Sequence, residues 1–279
     1  MNLNQFQGQS AQPGLSVETL SNIEISLPDI HSQDKIAAVL TALDDKIALN
    51  KRINDKLEAM AKLLYDYWFV QFDFPDENGR PYKSSGGKMV WNETLKREIP
   101  EGWEVNNLYY IADYINGLAC QNYRPKDNGK SLPVIKIKEM NEGIGADTER
   151  CALDIPDRFI ILNGDILFSW SATLMVILWN GGKGGLNQHI FKVVPKSYFT
   201  KSFVYQTLKL YIIHFQNIAL SRKTTMGHIT SEHISLSSIC IPPEYIVSLL
   251  SKRIDSIYYL ATAVPQKCGV IVGSEPISC

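Results

Sequence analysis

Residues 34–71, DKIAAVLTALDDKIALNKRINDKLEAMAKLLYDYWFVQ, decide how the chain is built. Ile36, Leu40, Leu43, Ile47, Ile53, Leu57, Met60 and Leu64 recur at spacings close to four and three, with one skip near Asn50. That period gathers the apolar side chains into one narrow stripe of an α-helix, at the 3.5-residue repeat of a coiled coil. Lys46, Lys51, Arg52, Lys56 and Lys62 alternate with acids outside the stripe. At 1.5 Å per residue the helix is about 55 Å long, more than a compact domain needs. The pattern predicts a spacer that packs along another helix; an ordinary bundle helix is the plainer alternative. Tyr65, Tyr67, Trp68 and Phe69 at its end are expected to cement it to the downstream domain.

Downstream of Phe74 and Pro75, the run DENGRPYKSSGGK is rich in Gly, Pro, Ser and Asn, which ends the helix and marks a connection over residues 75–98. A domain of different texture occupies residues 99–245. Its short apolar segments at 132–137, 159–162, 165–169, 173–179 and 189–194 are bounded by Gly, Asn and Pro and read as strands. Residues 201–220 place Phe203, Leu208, Tyr211, Ile212, Phe215 and Ile218 broadly on one side of a helix. Ile246, Leu250, Ile254 and Ile257 predict a second, shorter C-terminal helix over 246–264, and the tail 265–279 shows no period. The fold class expected is α+β, one mixed α/β domain joined to a long coiled-coil spacer helix.

A weak internal repeat links the two ends of this layout. The segment from Gly14-Leu-Ser-Val-Glu18 through Ile25-Ser-Leu-Pro28 parallels that from Gly227 to Glu232 through Ile239-Cys-Ile-Pro242, with one inserted residue. Each copy leads into a helix. The chain thus reads as the tail of one unit, residues 1–30, then the spacer, 34–74, and a nearly complete second unit.

Composition excludes several classes. With 279 residues, 45% of them hydrophobic, the chain can bury a core. The balance of 28 Lys and Arg against 29 Asp and Glu gives a net charge of -1, so any nucleic-acid surface must be local. Five cysteines form no C-x-x-C pair, which argues against structural zinc or a disulfide framework and suits a reducing cytoplasm. The most apolar run, 166–179, is broken by Ser169, Ser171 and Thr173 and falls short of the roughly 20 residues of a membrane helix.

Catalytic signatures are missing as well. Ile241-Pro-Pro-Glu244 lacks the polar residue and the aromatic that frame an adenine methyltransferase turn, and reads as a link from strand to helix. Asn180-Gly-Gly-Lys-Gly-Gly-Leu186 lacks the spacing of a phosphate loop and reads as a glycine-rich hairpin. Asp157 and Asp165 have no downstream Glu-x-Lys, so no metal-dependent nuclease site is expected. His189 reads as a core or strand-edge histidine. No catalytic residue, metal ligand or cofactor is expected.

The chemistry that binds DNA needs only cations for phosphate and polar side chains for base edges. Gln121, Asn122, Tyr123, Arg124, Lys126 and Lys130 form one polar, basic loop; Lys136 and Lys138 come next on an expected alternating strand; Arg222 and Lys223 form another cluster. Residues 105–245 carry 14 Lys and Arg against 11 Asp and Glu. Asn187 and Gln188 could equally frame a turn or read a base. Trp103 and Trp170 read as core anchors.

The segments GLSVETLSNIEISLPDIHSQDKIAAVLTALDDKI, LLYDYWFVQFDFP, GKMVWNETLKREIPEGWEV, GDILFSW and LNQHIFKV together resemble specificity subunits of type I restriction-modification systems. The resemblance implies target recognition domains that each read half of a split double-stranded DNA site, separated by long helices that set the spacing. It implies methyltransferase subunits docked on the helical region and, through them, a motor-nuclease restriction subunit. Here it covers a C-terminal half-like subunit: the end of a first recognition domain, the spacer, one recognition domain and the start of a distal helix. A homodimer through the long helix would restore two readers; a degenerate coiled-coil interaction protein that no longer reads DNA is the alternative.

Overall fold

The structure, a computed structural model, describes residues 17–125, 130–221 and 229–263. It divides into two compact units, Met1–Ala48 and Leu49–Cys279. The readings of residues 1–16 and of the tail 265–279 lie outside the described residues.

In the first unit a short helix α1 (Val17–Ser21) precedes an extended segment and the start of the long helix α2 (Ile30–Tyr65). α2 begins four residues before the expected start because Asp29 caps it. The Asp29 carboxylate accepts hydrogen bonds from the backbone N–H of Ser32 at 3.0 Å and from its hydroxyl at 2.7 Å. Those bonds hold the carboxyl below its ordinary pKa.

In the second unit α2 widens at its end into a π-helical turn, Asp66–Val70. Phe72 then takes the left-handed conformation, φ 65°, at a position where glycine is usual. Burial offsets the strain: Phe72 is 1% exposed, its ring lies 5.5 Å from Trp103, and the Arg97 guanidinium sits 4.5 Å above it. Arg97 also donates to the Val70 carbonyl at 2.7 Å, satisfying one of the orphan acceptors of the helix end. Tyr65, Trp68 and Phe69 are buried as expected. The Tyr65 hydroxyl is 2.9 Å from that of Thr207, and the Phe69 ring meets Phe203 edge-on at 5.2 Å.

After the connection come a hairpin, β1 (Met89–Asn92) and β2 (Arg97–Pro100), and β3 (Glu104–Asn107), which pairs with β12 (Ser238–Ile241). A short helix α3 (Leu108–Ile111) leads to an antiparallel sheet ordered β4-β11-β8-β9, built from Ala112–Asn116, Ile190–Pro195, Ile166–Ser169 and Met175–Leu178. A second sheet has the order β6-β5-β10-β7, from Arg150–Ala152, Ser131–Ile135, Gly184–Leu186 and Ile160–Ile161. In it β10 runs parallel to β5 and antiparallel to β7.

This topology corrects the glycine-rich hairpin. The run 180–186 links β9 of one sheet to β10 of the other, and its glycines serve close packing. A Cβ on Gly184 would lie 2.6 Å from Ile135 Cγ1, and one on Gly185 2.7 Å from Cys151 Sγ.

Helix α5 (Lys201–Ser221) buries Phe203, Leu208 and Phe215 against β9 and against α7 (Glu244–Ala263), with Tyr211 and Ile212 half-buried. Ile246, Leu250 and Ile254 supply the buried face of α7. Pro242 and Pro243 link β12 to α7, as the sequence suggests.

The repeat has a structural counterpart: helix, extended segment, helix in both copies, with α6 (Ser231–Leu236), β12 and α7 forming the second. The copies differ in burial. Ile239 and Ile241, on a strand paired with β3, are 4% exposed in the core, whereas their counterparts Ile25 and Leu27 are 65% and 67% exposed.

The stripe on α2 also divides. Ile36, Leu40, Leu43, Ile47, Ile53 and Met60 are exposed, while Leu57 and Leu64 are half-buried. The face that meets the domain runs through Asn54, Glu58, Ala61 and Tyr65. Glu58 accepts from the Tyr205 hydroxyl at 3.1 Å. Sequence periodicity passed over that face because two of its members are polar and one is small.

Candidate nucleic-acid interface

The antiparallel sheet gathers several chain segments at one end. β4 finishes at Asn116, β8 at Ser169 and β11 begins at Ile190, and the pairings Phe191 with Asn116 and Ile190 with Ser169 place these residues side by side. The Trp170 carbonyl accepts from the Ile229 N–H at 2.9 Å, bringing in the chain ahead of α6. A parallel bridge between Leu118 and Asn187 ties this end to the second sheet.

From here the polar loop departs. Cys120–Asn122 forms one 3-10 turn, and the Tyr123 carbonyl is pinned by the Ala152 N–H at 2.7 Å. The Cys120 sulfur lies 3.6 Å from the Leu186 carbonyl oxygen and against Cys151. The hydrogen bond to Cys151, and then burial, push its pKa up and keep it a thiol. These two cysteines are 31 positions apart, so sequence spacing gave no sign that they meet.

On this anchorage Gln121, Asn122, Tyr123, Arg124 and Lys130 are all exposed. The arrangement suits contact with a duplex: a fixed base, a polar rim, an aromatic and cations. Lys126, Arg222 and Lys223 lie outside the described residues.

Lys136 and Lys138 require correction. The strand stops at Ile135, and Lys136 is the N-cap of α4 (Ile137–Glu142), which holds Lys138. Glu139, three residues on, accepts from the Lys136 backbone N–H at 3.1 Å, half of a capping box. Lys136 Nζ pairs with Glu149 at 2.6 Å, and Lys138 pairs with Asp147. Hydrogen bonds from these lysines hold both carboxyls below their usual pKa. The pairs therefore persist at neutral pH, and any stability they contribute is lost as pH falls through the lowered carboxyl values. Replacing Asp147→Asn and Glu149→Gln together is expected to release both cations. The slope of log binding constant against log salt should then steepen by up to about 0.9 per lysine that gains a phosphate. Fluorescence anisotropy over a salt series measures this; an unchanged slope would remove both lysines from the interface.

Between β10 and β11, Asn187 is 6% exposed, Gln188 is half-buried and His189 is exposed. Trp170 is half-buried, with its ring 5.5 Å from that of His189 and its Nε1 donating to Asn116 Oδ1 at 3.1 Å. Trp103 is buried in the core. Among the described residues no group of three or more His, Cys, Asp or Glu could hold a metal ion, and no helix is long and apolar enough to cross a membrane.

A family model described as the type I restriction modification DNA specificity domain matches residues 1–59 and 100–267. The chain is 32% identical over 142 residues to a relative described as the type I restriction enzyme MjaIX specificity subunit of Methanocaldococcus jannaschii, covering 51% of this chain and 31% of the relative. It is 23% identical over 299 residues to the type I restriction enzyme HindI specificity subunit of Haemophilus influenzae, covering 88% of this chain and 65% of that one. A crystal structure of the type I restriction-modification S subunit from M. genitalium is similar with a TM-score of 0.47 and 15% identity, over 93% of this chain and 64% of the other. The chain spans less than two thirds of the length of each.

Proposed function

Because the chain belongs to the type I restriction modification DNA specificity domain family, we propose that it is a non-catalytic DNA-binding subunit that reads one half of a split target. Its recognition domain, residues 99–245, makes the contact, and α2 acts as the spacer that docks methyltransferase subunits. S-adenosylmethionine, ATP and Mg²⁺ belong, in this reading, to the partner chains.

The observation that carries the proposal is the exposed stretch from Gln121 to Arg124 with Lys130, hung on a buried frame at one end of the sheet. Two further features support the assembly. Six of the eight stripe residues of α2 are exposed, an apolar row suited to a partner helix. In the first repeat copy Ile25 and Leu27 are open to solvent, where the second copy buries its equivalents in the hydrophobic core. A second recognition domain, from another copy of this chain in a homodimer or from a longer subunit, would cover them in the same way.

The test is binding of the purified chain, alone and with its methyltransferase subunit, to a randomised DNA library at about 100–150 mM salt, where non-specific attraction is damped. Enrichment of a short half-site, or of a symmetric pair, is expected. Weak binding without sequence preference, even with the partner present, would overturn the proposal and leave the exposed stripe as the mark of an interaction protein.

A further inference from the structure

We propose that Gln188, braced by His189, reads an adenine edge in the major groove. The proposal rests on the DNA-reading function above and gives it a specificity-determining residue. The sequence left Asn187 and Gln188 as either turn framers or base readers; the structure divides the two roles between them.

Asn187 is the framer. Its N–H donates to the Ile135 carbonyl at 3.3 Å, its carbonyl accepts from Ile190 at 3.1 Å, and its side-chain oxygen accepts from the His189 N–H at 3.3 Å. With these three groups engaged in the turn and the side chain buried, Asn187 serves the frame.

Gln188 and His189 face outward from that frame. The Gln188 amide nitrogen and His189 Nε2 are hydrogen-bond partners at 3.2 Å. An amide nitrogen only donates, so the imidazole Nε2 is the acceptor of this pair. The imidazole in turn lies beside the Trp170 ring, and Trp170 is fastened by its own N–H to the His189 carbonyl at 3.3 Å and by Nε1 to Asn116. The chain of contacts from Asn116 to Trp170 to His189 to Gln188 fixes the plane of the amide before any ligand arrives, which lowers the entropy cost of binding.

The amide keeps its oxygen and its second N–H for a partner. An acceptor beside a donor in one plane matches adenine, which offers N6–H₂ and N7 in the major groove. Phosphate presents acceptors alone and would leave the amide oxygen facing negative charge; Arg124 and Lys130 supply the cations for that task. The Leu118–Asn187 bridge puts the turn beside the departing polar loop, so both can meet one stretch of duplex.

The experiment compares the intact chain, with its methyltransferase subunit, against its Gln188→Glu and Gln188→Ala variants in the library selection. Gln188→Glu is isosteric at a side chain outside the buried frame, and a carboxylate accepts from cytosine N4 instead. The wild type is expected to require adenine at one position of its site. Gln188→Glu should shift that position toward cytosine, and Gln188→Ala should relax it by roughly 5- to 150-fold. Circular dichroism melts matching the wild type confirm that each variant is folded. An unchanged motif in both variants, or loss of affinity equal for all sequences, would overturn the base-reading role while leaving the DNA-binding function intact. Absence of any preference in the wild type would instead overturn the function on which the inference rests.

Discussion

Phe69→Ala is expected to lower the melting temperature by roughly 6–20 °C. Phe69 is 8% exposed, and its ring lies 4.9 Å from Tyr65, 5.2 Å from Phe203 and 6.0 Å from Trp103. Removing a buried phenyl ring costs about 3–5 kcal/mol in lost transfer energy and residual cavity. The π-helical turn and the left-handed Phe72 just beyond it limit how far the backbone can settle into the space. In a unit of this size about 1 kcal/mol moves the midpoint by about 2–4 °C. Ile36→Ala, at a stripe residue 53% exposed, serves as the control and should change the stability of the isolated chain by less than about 0.5 kcal/mol. Thermal melts monitored by circular dichroism distinguish the two. Equal, small shifts would mean that the aromatic cluster does not fasten helix to domain.

Gly117→Ala is expected to abolish sequence-selective binding while costing about 1–3 kcal/mol of stability, toward the upper end of that range. A Cβ at this position would stand 2.1 Å from the Asn187 carbonyl oxygen and 2.7 Å from that of Leu186. Both neighbours are backbone and neither can rotate away. On either side, Gly117 N–H donates to the Ile190 carbonyl and Leu118 N–H to that of Leu186, each at 3.1 Å. Relief of the clash therefore breaks at least one of these bonds and spreads the two loops that the frame unites. The measurement is a pair of titrations, against the selected site and against scrambled DNA. Selected-site affinity should fall to the scrambled level; retention of preference would show that the frame does not position the reading loops.

What was legible in the sequence is what repeats locally. The α2 period, the repeated segments that each lead into a helix and the aromatic helix end each rest on contacts within a few residues or on one apolar face. The early start of α2 was missed because its signal is a single capping residue, Asp29. Its domain-facing side was missed because Asn54, Glu58 and Ala61 do not look like a core stripe. Strand existence was readable from short apolar runs, yet partners were not: nothing local reveals that Gly184 and Gly185 cross to another sheet. Gln121 to Arg124 and Lys130 could be named from composition, since exposed polar residues need no partners to be recognised. The Gln188 and His189 pair depends on Trp170 and Asn116, 18 and 72 positions before Gln188, and becomes visible only in three dimensions.

The frame beneath the reading loops separates two kinds of mutational risk. Gly117, Asn187 and Cys120 are packed against backbone or buried, so nearly every substitution there harms folding. Gln121, Asn122, Arg124 and His189 project from the frame with little core to disturb, and Gln188 beside them is only half-buried. Changes at such positions typically shift stability by less than about 0.5 kcal/mol. If these residues read the target as proposed, a lineage of such proteins can drift from one target to another by single steps, each intermediate still folded.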